Sequence, residues 1–218
     1  MKLAANEEKL VNIDVDGITL EGALGIPEGA EGIVLFAHGS GSSRHSPRNN
    51  YVAQVLRKAG VATLLMDLLT REEDVDYSTR FDIGLLTARL EAATRWLEGQ
   101  KETKGLVIGY FGASTGAAAA LKAAVSMGPG IGAVVSRGGR TDMASQALPD
   151  VKAPTLFIVG GDDDVVLALN RQSLDLMSTK KELKVIPGAS HLFEEPGALE
   201  EVAALAANWF KKHLTRRG

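Results

Sequence analysis

Gly105-Leu-Val-Ile-Gly-Tyr-Phe-Gly-Ala-Ser-Thr-Gly-Ala-Ala-Ala-Ala-Leu-Lys-Ala-Ala-Val125 is the stretch on which the fold turns. Its first seven residues, 105–111, form an apolar run of strand length, and its last eleven, 115–125, are rich in the best helix former. Between them lies Gly112-Ala-Ser-Thr-Gly116, a G-x-S-x-G pattern at a strand-to-helix junction. A serine there must turn sharply, which leaves its hydroxyl exposed. The flanking glycines remove the Cβ atoms that would collide where strand and helix cross. The new helix points its free N–H groups, and the positive end of its dipole, at whatever sits on Ser114. The segment predicts a nucleophile elbow.

A five-residue pattern needs its surroundings to carry weight, and these agree with it. Upstream, the run Gly32-Ile-Val-Leu-Phe-Ala37 ends in His38-Gly-Ser-Gly-Ser-Ser43. That loop is placed to give the backbone N–H of Ser40 to an oxyanion hole, with the N–H of Thr115 as its second donor. Downstream, Ala153-Pro-Thr-Leu-Phe-Ile-Val159 is another apolar strand ending in Gly160-Gly-Asp-Asp-Asp164, and Leu183-Lys-Val-Ile-Pro187 leads into Gly188-Ala-Ser-His191. Serine, then aspartate, then histidine, each at the carboxyl end of its own strand, is the chain order of an α/β-hydrolase triad. His191 is the only histidine in a catalytic position after the acid. His38 belongs to its loop as a structural hydrogen-bonding residue. Among Asp162, Asp163 and Asp164 chemistry alone does not choose, and Asp142, after the preceding strand, is an outside candidate.

Strand and helix signals alternate along the rest of the chain. Residues 10–15 and 18–26 flank Asp16-Gly17, the pattern of a β-hairpin. Strands are then expected at 32–37, 61–66, 105–111, 131–136, 155–159 and 182–187. Helices are expected near 47–59, over 80–97 (apolar at Phe81, Ile83, Leu85, Leu86, Leu90, Ala93, Trp96 and Leu97), and at 115–126, 165–178 and 197–213. The sum is an α/β fold: about eight strands in a mostly parallel sheet, opened by a hairpin, with helices on both faces. No connection is long enough for a cap domain, so the site should be open on one side.

The chain is similar to the dienelactone hydrolase-like branch of the α/β-hydrolase superfamily over nearly its whole length. The resemblance rests on His38-Gly-Ser-Gly-Ser-Ser-Arg-His45, Gly112-Ala-Ser-Thr-Gly116, Ser136-Arg-Gly-Gly-Arg140 and Gly188-Ala-Ser-His-Leu-Phe193. It implies a carboxylic ester hydrolase, and its spacing Gly160-x-x-Asp163-x-x-Val166 favours Asp163 as the acid. Dienelactone hydrolases proper use a cysteine nucleophile, whereas this chain contains no cysteine. The chemistry implied here is therefore a serine's, on a small ester, lactone or thioester, with no cofactor. Acyl transfer by the same triad, and a catalytically silent binding protein on the same scaffold, are the alternative readings.

Composition narrows the partners. With 218 residues, 45% of them apolar, the chain has the size of one substantial domain, 1–218. A net charge of −3 offers no electrostatic reason to expect nucleic acid or an anionic membrane, and no run of 18 apolar residues occurs. The absence of cysteine, and of an apolar segment at the start, predicts a cytoplasmic protein. The histidines at 38, 45, 191 and 213 lack metal-ligand spacing, so no metal is expected. Gly112–Ala120 is not a phosphate loop, because no lysine follows the glycine.

Three arginines remain. Arg137 and Arg140 flank Gly138-Gly139 after the strand that follows the nucleophile helix, and Arg44 lies in the oxyanion loop. Arg44 and Arg137 are candidates to bind a carboxylate or phosphate on the substrate. The competing expectation for Arg137 is an internal pair with Asp142 or with one of residues 162–164.

Overall fold

The computed structural model describes residues 8–215. The hairpin forms as expected from β1 (Lys9–Val15) and β2 (Ile18–Gly25), with Asp16 and Gly17 both at positive φ in the turn. Then follow β3 (Gly32–Ala37), α1 (Pro47–Lys58), β4 (Ala62–Met66), α2 (Arg71–Val75), α3 (Ile83–Gly99), β5 (Val107–Ala113) and α4 (Thr115–Met127). β6 (Ile131–Arg137), β7 (Thr155–Gly160), α5 (Asp164–Leu176), β8 (Lys181–Ile186) and α6 (Ala198–His213) complete the chain. One eight-stranded sheet runs in the order β1-β2-β4-β3-β5-β6-β7-β8. β2 pairs antiparallel with β4, and β3 to β8 are parallel.

The central strands carry no polar face because both of their faces are covered. In β3, Ile33 and Leu35 point into one core and Val34 and Phe36 into the other. α1 and α6 close the second face, where Phe36, Phe111, Val135, Ile158 and Phe210 meet. α3 and α4 close the first, with Leu35, Leu64, Leu90, Tyr110 and Phe157. On that side the Tyr110 hydroxyl finds Thr94 Oγ1 at 2.7 Å, which satisfies a phenol that burial would otherwise strand. α4 lies almost flush on the sheet, and Ala117 to Ala120 are wholly buried in the contact.

Two local expectations need correction. The helical pattern at 80–97 does not begin at Arg80. Thr79–Phe81 is a separate 3₁₀ turn, and the Asp82 side chain caps α3 by accepting the Leu85 N–H at 2.9 Å. The short helix α2 was not expected at all. Its signal was Thr70-Arg-Glu-Glu73, a capping box: Thr70 Oγ1 accepts the Glu73 N–H, and Glu73 Oε2 accepts the Thr70 N–H. With no buried residue, α2 has no apolar periodicity to reveal it.

The parallel pairing brings the chemistry to one place. Ala37 pairs with Gly112, Ala113 with Arg137, and Gly160 with Ile186. The loops after β3, β5, β6, β7 and β8 therefore open along the same carboxyl edge, where parallel sheets build their sites.

Candidate active site

Ser114 sits between β5 and α4 with φ +50° and ψ −120°, a conformation that a residue with a Cβ rarely adopts. Three main-chain bonds hold it there. Its N–H donates to Arg137 O at 3.2 Å, and its carbonyl accepts from Ala117 and Arg140. Gly116 is required by the crossing of helix and strand: a Cβ there would lie 2.1 Å from Ala37 O and 2.5 Å from His38 O. Strain held by the surrounding structure in this way is a mark of functional positions.

Of the four candidate aspartates, one meets the imidazole. Asp163 Oδ2 lies 2.6 Å from His191 Nδ1, a distance of a charge-assisted hydrogen bond. Asp163 is also the residue immediately before α5, where an aspartate ordinarily accepts the helix's own N–H groups. Its side chain makes no such bond, and the carboxylate is turned to the imidazole instead. Asp162 and Asp164 are exposed. Asp142 is engaged by Arg140 in a two-pronged pair at 2.8 and 2.9 Å, which pulls its carboxyl below the usual range.

His191 packs over Gly138, the residue after Arg137, whose carbonyl holds the Ser114 N–H. Gly138 has φ +53°, and a Cβ on it would come within 3.3 Å of the imidazole Cε1 and Nδ1. Among the described residues the ring is bonded to Asp163 alone, so its Nε2 is not yet joined to Ser114 Oγ; such bonds are often long before substrate arrives. The histidine side chain is 39% exposed and Asp163 14%, so the imidazole faces solvent while the carboxylate is sheltered. Phe193, two residues on, holds this loop down. It is 1% exposed in the α1/α6 core and adopts φ +56°. Nothing in the sequence announces a phenylalanine in that conformation.

In the oxyanion loop, His38 Nε2 accepts the Leu68 N–H at 3.0 Å, which places the ring proton on Nδ1, where it donates to Gly39 O at 3.0 Å. His38 is thus a buried brace, as expected, and burial lowers its pKa. The Ser40 N–H points to Thr115 Oγ1 at 3.0 Å. One expected oxyanion donor therefore rests on the side chain of the other.

The arginines part company. Arg44 has its charge matched: its main-chain N–H donates to Asp67 Oδ1 at 2.7 Å, and its guanidinium pairs through Nη1 and Nη2 with the Asp67 carboxylate and with Glu21. It ties the loop to β2 and to the end of β4, and its side chain is 15% exposed, so it is not presented to a substrate. Arg137 meets neither expectation for an internal partner, since Asp142 is taken by Arg140 and Asp163 by His191.

The described residues contain no cluster of His, Cys, Asp or Glu able to hold a metal, and no helix long and apolar enough to cross a membrane.

The fold and the sequence both have known relatives. The model of the dienelactone hydrolase family matches residues 20–215. A crystal structure of a dienelactone hydrolase from Anabaena variabilis ATCC 29413 superposes with a TM-score of 0.93 at 59% identity, covering 95% of this chain and 98% of that one. An alpha-beta serine hydrolase homologue from Coxiella burnetii shares the fold at a TM-score of 0.77, 21% identity, and 95% and 99% coverage. A putative phosphoribosyl transferase of Mycobacterium tuberculosis (strain ATCC 25618 / H37Rv) is 55% identical over 208 residues, 95% of this chain and 47% of that protein. The chain spans about half the length of the curated relatives it matches in this way. Fold, family model and close structural neighbour coincide: the chain is an α/β hydrolase and belongs to the dienelactone hydrolase family.

Proposed function

We propose that the chain is a serine hydrolase of small carboxylic esters, lactones or thioesters, with Ser114 as nucleophile, His191 as base and Asp163 as the acid that orients it. The observation that carries the reading is the 2.6 Å Asp163–His191 bond, made by a carboxylate that forgoes capping its own helix. That bond holds the proton on Nδ1 and leaves Nε2 as the acceptor. In the first half-reaction the Ser114 oxygen bonds to the acyl carbon while its proton passes to Nε2. The bond to the leaving group then breaks, and the departing oxygen or sulfur takes that proton. Water repeats the sequence, and Ser114 recovers its hydrogen as the acid leaves.

The negative oxygen formed at each attack lies against the start of α4. There the Thr115 N–H and the Ser40 N–H stabilise it. Because Ser40 N–H rests on Thr115 Oγ1 in the unliganded state, the oxyanion must share that donor or displace the hydroxyl. Before substrate arrives, the hydroxyl holds the loop N–H against the start of α4.

Transfer of the acyl group to an alcohol or amine uses the same first half-reaction, and the open approach to His191 favours water as acceptor. The phosphoribosyl transferase name belongs to proteins about twice as long as the segment matched here. The lack of cysteine supports a cytoplasmic setting. A panel of short-chain esters, lactones and thioesters tests the reading. The wild type should turn over at least one class with an initial burst of leaving group, and Ser114→Ala should lose roughly a thousandfold or more in kcat. A panel with no turnover, or turnover indifferent to Ser114→Ala, contradicts it.

A further inference from the structure

Arg137 is 8% exposed, and its guanidinium has no carboxylate, carbonyl or hydroxyl partner among the described residues. Nη1 is sealed from solvent with its hydrogens unused. Buried arginines are nearly always paired, because an uncompensated charge away from water is among the costliest features a fold can carry. No anion relieves it from the protein side. The charge nearest in effect is another cation, Arg48, and burial together with Arg48 pushes the Arg137 pKa down to about 10.

The placement of the two residues relates them to the catalytic groups. The Arg137 carbonyl holds the Ser114 N–H, and the next residue, Gly138, underlies His191. By strand alternation Arg137 leaves β6 on the same face as Val135, toward α1 and α6. Arg48 stands in the first turn of α1, which follows the oxyanion loop. Its Nη1 reaches Glu194 at 3.0 Å, in the loop that carries His191, and its Nε is buried without a partner. The pair thus spans the segments bearing nucleophile, oxyanion donors and base.

We infer that Arg137 and Arg48 form a phosphate site beside the catalytic serine, occupied by free phosphate or by a phosphate group carried on the substrate. Arg137 alone offers five N–H donors and Arg48 Nε a sixth, whereas a carboxylate has about four acceptor positions. The three terminal oxygens of a phosphate match that supply, and its charge offsets the Arg137 guanidinium that no carboxylate meets, beside an Arg48 already paired with Glu194. The substrate arm of this inference rests on the proposed hydrolase activity; the binding arm does not.

The binding arm is titration of inorganic phosphate into the Ser114→Ala protein by calorimetry, at ionic strength held constant with sodium chloride. Saturable binding is expected, weakened roughly tenfold or more by Arg137→Gln and by Arg48→Gln, each removing one charge-assisted contact. Arg137→Lys should restore part of it. Because Arg48 is partly exposed, its variant tests the site even where Arg137→Gln fails to fold. No saturable binding in the parent, binding in both glutamine variants as tight as in the parent, or tighter binding of acetate than of phosphate overturns the site. The substrate arm compares kcat/KM for an ester bearing a phosphate monoester with its neutral alcohol analogue. A preference of roughly tenfold or more that vanishes in Arg48→Gln assigns the phosphate to the substrate. Binding without that preference assigns it to the free ion. Absence of turnover on both esters with phosphate binding intact removes the hydrolase reading and leaves the phosphate site standing.

Discussion

β6 and β7 lie side by side and deliver opposite things to the site. β7 hands Asp163 to His191 at 2.6 Å, a charge fully used. β6 ends in Arg137, buried to a similar degree of shelter and joined to no opposite charge among the described residues. Arg44 sharpens the contrast: it is another arginine close to the catalytic edge, and its guanidinium is matched by Asp67 and Glu21. A polar group that the fold has paired belongs to the machinery or to the scaffold. One that the fold has buried and left unpaired stores free energy that only something outside the fold can release.

The largest break in this comparison should come from the paired carboxylate. Asp163→Asn removes the charge that orients and steadies the imidazole, and kcat should fall by roughly a thousand- to ten-thousandfold. Asp162→Asn, Asp164→Asn and Asp142→Asn should each stay within a few-fold of wild type, since none of them reaches His191. Steady-state kinetics on any accepted ester decides it. A loss centred on Asp142 would move the acid back to the β6 loop.

The two arginines should then respond with opposite sign in urea unfolding. Arg44→Met leaves Asp67 only the main-chain N–H of residue 44 and loosens the loop, a cost of about 1–3 kcal/mol for partly sheltered groups. Arg137→Met replaces an uncompensated charge with an apolar chain in an apolar surround and should be neutral, or stabilising by about 1–2 kcal/mol. Equal destabilisation by both would show that Arg137 is satisfied in solution.

A smaller effect is expected at Thr115, whose hydroxyl receives the Ser40 N–H. Thr115→Val keeps shape and removes the acceptor. Stability should drop by about 1 kcal/mol, with kcat within about tenfold of wild type, because the acting donors are main-chain groups. A hundredfold loss in kcat at unchanged KM would make the hydroxyl itself a donor to the oxyanion.

The smallest signal is the pH response of stability. Burial lowers the His38 pKa, so the unfolded chain binds its proton more readily than the folded one. Its contribution is complete above the unfolded value of about 6.5 and is lost as pH falls through and below it. His213 is lowered in the same direction and adds to the trend. Urea midpoints between pH 7.5 and 5 should decline, and His38→Gln should flatten part of that slope.

The parallel strands were legible in the chain because strands buried on both faces must be continuous apolar runs, as Ile33 to Ala37 and Thr155 to Val159 are. The hairpin was legible because Asp16-Gly17 specifies its turn. The elbow was legible because Gly112 and Gly116 have no substitute in a crossing so close. α2 escaped periodicity because it buries nothing, although its capping box was written in Thr70 and Glu73. What could not be read is pairing at a distance. Arg44, Arg137 and Arg140 are the same letter in similar loops. Which of them meets a carboxylate depends on side-chain directions set by strand alternation and loop packing. Which aspartate of residues 162–164 meets His191 had the same character: the sequence offered only a resemblance, and the 2.6 Å contact of Asp163 depends on how the β7 and β8 loops pack.

The central claim is that Ser114, in its strained turn, is the nucleophile that His191 and Asp163 activate. The most direct measurement is reaction with a fluorophosphonate followed by intact-mass analysis and peptide mapping. The account predicts a single phosphonyl adduct, located on Ser114, formed far more slowly in Asp163→Asn. An adduct on any other residue, or a wild-type protein inert to the reagent, would contradict it.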